Sequence, residues 1–81
     1  MPKSLRTPAQ RALQKILAEK RASLGLTQAQ VAARLERPQS FVAKYENGER
    51  KLDLIEFCAI ARALRIEPMF LFREFLEAAN L

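Results

Sequence analysis

GLTQAQVAARLERPQSFVAKYENGER, residues 25–50, holds two short helices and the turn between them. Gly25 is a good left-handed stop for whatever helix precedes it. Thr27-Gln28-Ala29-Gln30 is a capping box, with Thr27 at the N-cap and Gln30 three residues on. The helix that follows carries Val31, Ala32 and Leu35 on one face and ends near Glu36. Pro38 disfavours helical geometry at Arg37 and cannot continue a helix, but it is tolerated at the start of one. A further helix is therefore predicted from about Pro38 to Glu46, closed by the turn signal Asn47-Gly48. Ala32 is small where the two helices must approach, and Val42 and Tyr45 are the inward residues of the second. Two short helices joined by about three residues form a helix-turn-helix.

Outward from this unit the helical signals continue. Thr7-Pro8-Ala9-Gln10 reads as another capping box, and Leu13, Ile16, Leu17 and Leu24 recur at helical spacing behind it. Downstream, Asp53 with Glu56 opens a fourth helix whose buried face is expected to hold Leu54, Phe57, Cys58, Ala61 and Leu64. On that face Cys58 reads as an inert core thiol, with a redox sensor as the alternative. Ile66-Glu67-Pro68 interrupts the pattern, and a fifth helix runs from about Pro68 to Ala79. No alternating strand pattern and no repeat occurs. The fold class is all-α with five helices. The expected organisation is a basic N-terminal arm over residues 1–6, a helix-turn-helix domain over 7–67, and a C-terminal helix over 68–81 that completes the core and dimerises.

Composition narrows the function. With 49% hydrophobic residues in 81, the chain can build one small core and is too apolar for a disordered tail. It has no His and one Cys, which removes His-based catalysis, His-ligated metals, an internal disulfide and a Cys-rich zinc site. No acid–base set or paired nucleophile is visible, so an enzyme is not expected. No apolar run approaches the roughly 18–20 residues needed to span a bilayer, and the N-terminus lacks the apolar stretch of a signal peptide. The expectation is a cytoplasmic, nucleoid-associated protein. Net charge is +5, divided as +7 over residues 1–52 and −2 over residues 53–81. A basic part joined to an apolar, mildly acidic part points to a polyanion on one side and a protein on the other.

Helix geometry assigns the faces of the 38–46 segment. At 100° per residue, Val42, Tyr45, Pro38 and Glu46 lie inward. Ser40, Ala43, Lys44 and Asn47 point outward, and Gln39 and Phe41 sit on the flanks. Gln can pair bidentately with adenine and Lys can donate to guanine, so Gln39, Ser40 and Lys44 are the candidate base-reading residues in a DNA major groove. Ala43 leaves room for a thymine methyl. Phe41 either packs beside Tyr45 at i+4 or rests on the DNA. Glu46, inward on a basic domain, requires a partner. Gln28 opens a helix, where N–H groups and the dipole favour a phosphate.

The Leu-Thr-Gln opening, the inward Val31-Ala32 and Leu35 set, and the Tyr-Glu-Asn-Gly close resemble the lambda-repressor-like, Cro-type family, also called XRE. The resemblance covers roughly residues 13–66. It implies a five-helix fold whose third helix enters the major groove, and a role as a bacterial or phage transcriptional regulator. It further implies that Gln28, Arg37, Asn47, Arg50 and Lys51 contact the DNA backbone, and that an Arg21–Glu46 pair ties the first helix to the recognition helix. The arm residues Lys3 and Arg6 either reach the DNA or make no contact. Two positions depart from the family pattern: Glu36 and Arg65 stand where Gly is frequent. A left-handed backbone there costs about 1 kcal/mol with a side chain present.

Met69-Phe70-Leu71-Phe72, followed by Phe75 and Leu76, is apolar on more than one side. Met69, Phe72 and Leu76 are expected to close the core, leaving Phe70, Leu71 and Phe75 for a second copy. A two-fold dimer presents two recognition helices about 34 Å apart over a palindromic operator. The expected function is a sequence-specific double-stranded DNA-binding regulator, a repressor that acts on its own promoter, with no cofactor or small-molecule ligand. The alternative is a protein-binding module, such as an antitoxin or anti-regulator, that captures a partner with the C-terminal helix.

Overall fold

The computed structural model describes residues 7–81; the expected arm, with Lys3 and Arg6, lies outside the described residues. Five helices follow in order: α1 (Pro8–Ser23), α2 (Gln28–Leu35), α3 (Gln39–Asn47), α4 (Leu54–Ala63) and α5 (Pro68–Ala79). Local chemistry sets their starts. Thr27 Oγ1 accepts from Gln30 N–H at 3.0 Å, and the Gln30 side chain returns to Thr27 N–H at 2.8 Å. Asp53 and Glu56 make the same reciprocal box for α4, at 2.7 and 3.0 Å. At α1 only the first half forms, from Gln10 N–H to Thr7 Oγ1 at 3.1 Å. Glu67, which carried no expectation, caps α5 by accepting from Phe70 N–H at 3.1 Å. Pro38 stands outside α3 as an extended N-cap and is exposed, not inward, so α3 begins one residue later than expected.

The stops are less regular. Gly48 ends α3 with φ 88°, and the Gln14 amide lies over it so closely that an added Cβ would meet Oε1 at 3.1 Å. Glu36 at the end of α2 and Arg65 after α4 adopt φ 56° and 60°. The left-handed turn that the Gly-for-Glu and Gly-for-Arg differences brought into question is therefore made with side chains in place, at about 1 kcal/mol each.

The core draws on every helix. The largest fully buried side chains are Leu17 of α1, Val31 of α2, Val42 of α3, Ile60 of α4 and Leu71 of α5. α1 packs on α3 and α5, α2 packs on α3 and α4, and α4 packs on α5. Among the described residues there is no strand, and no helix is long and apolar enough to cross a membrane.

Face assignments on three helices require correction. Leu71, expected in a dimer contact, is 0% exposed at the centre of the core, whereas Met69 and Phe72, expected to close the core, are 70% and 39% exposed. Four consecutive apolar residues satisfy any helical phase, so their order could not choose the inward one; packing of α5 against both α1 and α4 selects Leu71. Phe75 is half-buried, and Phe70 remains on the outer side with Met69. On α4 the buried residues are Phe57, Ile60, Ala61 and Ala63, with Leu64 buried just beyond its end, while Leu54 is exposed and Cys58 half-buried. Leu54 opens the helix, a turn before the segment that meets the core. Leu24, at the C-cap of α1, also leaves the apolar stripe for solvent.

Candidate nucleic-acid interface

α3 divides sharply by side. Phe41, Val42 and Tyr45 are buried, and Gln39, Ser40, Lys44 and Asn47 are exposed. Ala43 lies between them, half-buried. Gln39, Ser40 and Lys44 therefore form a polar row along the outer, N-terminal part of the helix. Phe41 takes the packing position, edge-on to Tyr45 with ring centroids 5.4 Å apart, and is 7% exposed.

Two carboxylates hold this helix. Glu46, with a side chain 7% exposed, accepts from Arg21 Nε at 2.7 Å and from Arg21 Nη2 at 3.0 Å. Arg21 Nη1 also donates to the Leu26 carbonyl at 2.8 Å, so one guanidinium ties together α1, the following loop and α3. Bonding to Glu46 pushes the Arg21 pKa up from its ordinary value. Burial, with Glu46 adjacent in charge, likewise pushes the Tyr45 phenol upward. Glu46 Oε1 accepts a third bond, from Gln28 Nε2 at 3.0 Å, and Gln28 Oε1 accepts from Gln39 Nε2 at 3.4 Å. The chain Arg21–Glu46–Gln28–Gln39 thus runs from the protein interior to the outer row. It fixes which end of the Gln28 amide is the acceptor, because a carboxylate can only accept.

The second carboxylate is Glu56 of α4. It accepts from Arg50 Nη2 at 2.6 Å and Nη1 at 3.3 Å, and Arg37 Nη2 lies 4.0 Å away. The same two guanidiniums lie over the Phe41 ring, with Cζ 4.1 Å (Arg37) and 4.9 Å (Arg50) from its centroid. Arg37 precedes α3 and Arg50 follows it, so the two cations bracket the helix with their planes fixed by an aromatic face and an acid.

The residues expected at a DNA backbone are not equally available. Lys51 is exposed, and Arg37 is half-exposed beside α3. Gln28 is engaged with Glu46 and Gln39. Asn47 donates to Glu49 Oε1 at 2.8 Å and accepts from Glu49 N–H at 3.1 Å. Arg50 spends its fork on Glu56 and on the Lys51 carbonyl, at 2.6 Å. Glu56 was legible as a cap but not as the partner of these arginines, since Arg50 reaches it across a loop that has no period to read.

The helix-turn-helix family model matches residues 17–71. An XRE-family-like protein from Pseudomonas syringae pv. tomato str. DC3000 is 43% identical to this chain and superposes with a TM-score of 0.83, over 93% of this chain and 92% of that one. The restriction-modification controller protein C.AhdI from Aeromonas hydrophila is 33% identical, with a TM-score of 0.71 over 78% of this chain and 96% of that one. The restriction-modification controller protein C.Esp1396I, solved as a tetramer in complex with its natural 35 base-pair operator, shares the fold at 15% identity, with a TM-score of 0.82 over 90% of this chain and 96% of that one. Comparison with curated proteins gives no match. With the matched segment spanning the last turns of α1 through the start of α5, and a structural relative 43% identical over 93% of this chain, the chain belongs to the XRE-type helix-turn-helix family.

Proposed function

We propose that this protein is a sequence-specific double-stranded DNA-binding transcriptional regulator that reads the major groove with α3. The observation that carries this reading is the exposed row Gln39, Ser40 and Lys44 on a helix whose opposite side is anchored by Val42 and Tyr45. The Gln28 bond turns the Gln39 nitrogen toward the protein surface while leaving its second N–H and its oxygen to a base, the donor–acceptor pair that adenine complements. Lys44, one turn further along, supplies a donor for guanine. Arg37 and Lys51 flank the row and serve as phosphate contacts that set register but not sequence. Gln28 adds the first-turn N–H groups of α2.

The outer side of α5 supports a second copy. Met69 is 70% and Phe70 57% exposed at one end of the helix, a pair of large apolar groups with no cover in the monomer. A two-fold dimer across this side carries two α3 helices to a palindromic operator. We place the protein as a repressor of its own promoter; the controller identity of C.AhdI supports the broader role in regulation. Selection of bound duplexes from a random pool, repeated at two salt concentrations, tests the reading. The expected result is a palindromic consensus whose affinity falls with salt at a slope of about −0.9 per phosphate neutralised. A pool that emerges without sequence preference overturns it.

A further inference from the structure

Arg65 is one of three non-glycine residues with positive φ among the described residues, with Glu36 and Asn80: it holds φ 60° in the turn between α4 and α5, where a glycine would sit without strain. No ion pair offsets that strain: the four salt bridges among the described residues leave Arg65, Arg62 and Arg34 without an acid. These three arginines line one groove of about 460 Å³, with Leu35, Ala59 and Ala63 as its apolar lining and no carboxylate. Arg34 is set in place by donating from Nη1 to the Ala63 carbonyl at 2.7 Å.

Helix ends account for part of this charge. Arg34 lies in the last turn of α2 and Arg62 in the last turn of α4, where cations meet the negative end of a helix dipole. Two such ends offset roughly one unit between them, against three guanidiniums, so the groove remains positive.

We propose that this groove docks an acidic segment of a protein partner, one in which an apolar side chain sits between carboxylates. Charge selects the anion. The lining selects a peptide over a nucleic acid. Ala59 and the part-exposed Leu35, with Ala63 buried beside them, offer an apolar strip that a phosphodiester chain has nothing to cover. On its α4 side the site is set off from α3: Ala63 is seven residues beyond Glu56, about 10 Å along α4 from the end that meets Arg37 and Arg50.

The test uses the full chain and a short synthetic peptide of glutamates interrupted by two leucines, with the glutamine version as control. Backbone and arginine Nε–H resonances report where it binds. The glutamate peptide is expected to shift Leu35, Ala59, Ala63 and the three arginines, and the glutamine peptide is not. Arg65→Gly is the decisive variant because it relieves the strained backbone while removing the guanidinium. It should melt higher than the parent yet bind the glutamate peptide about threefold to fivefold more weakly, the scale of one exposed ion pair. Equal binding by Arg65→Gly overturns the proposal, as does a random DNA duplex, not the peptide, shifting the groove residues.

Discussion

α3 and α5 both lay one side on the same core, but their outer sides are finished differently. α3 shows solvent an amide, a hydroxyl and an ammonium, and each flank is held by a part-buried acid paired with arginine. α5 shows Met69 and Phe70, both more than half exposed. The polar side is built rigid and the apolar side is left plain. A surface that discriminates bases by hydrogen bonds gains from fixed donors and acceptors, since a misplaced buried polar group is costly. A surface that meets an apolar partner needs area, and area is non-directional.

The sharpest way to break this contrast is to strip the polar row. Gln39→Ala with Lys44→Ala is expected to lose about a hundredfold to a thousandfold in affinity for the selected duplex, with unchanged thermal melting, because both side chains are exposed. Titration of that duplex against both proteins is the measurement. Removing the support in place of the row should behave differently. Glu46→Ala leaves the Arg21 guanidinium without its acid and is expected to cost about 3 kcal/mol of stability, while the base preference set by Ser40 and Lys44 in the surviving folded protein stays the same. Altered operator choice with unchanged melting would refute the structural role of Glu46.

On α5 two substitutions one residue apart separate the inner side from the outer. Leu71→Ala empties the centre of the core and should cost about 3 kcal/mol in denaturant unfolding. Phe70→Ser should leave the melting of dilute protein within about 0.5 kcal/mol of the parent and weaken self-association about tenfold by sedimentation. If both destabilise alike, the outer side is part of the core and the contrast fails. The smallest effect is one of pH. Burial pushes the Tyr45 phenol up, so above about pH 10 the unfolded chain ionises while the folded one keeps its proton. Stability from this group is full below that pH and declines above it. Tyr45→Phe should lessen the alkaline decline seen by circular dichroism.

What could be read in the sequence was what is local. Thr27 with Gln30 and Asp53 with Glu56 lie three residues apart, and their bonds close within one turn. The outward row of α3 follows from 100° per residue once the helix is placed, although Pro38 shifted from first helical residue to cap. The turns at Glu36 and Arg65 were legible as departures from glycine. The inward residue of α5 was not, because periodicity is silent where four neighbours are all apolar. Nor was the commitment of Arg50 and Asn47 to Glu56 and Glu49, which depends on how an irregular loop folds back.

The five side chains at the centre, one from each helix, have an implication for how such a domain can change. No helix can be deleted without opening the same nucleus, so the segment that meets DNA and the segment that offers itself to a second subunit stand or fall as a unit. Drift on either outer surface is free; loss of either helix is not. A lineage can retune what it reads and whom it pairs with, but it cannot shed one of these talents and keep a folded remnant with the other.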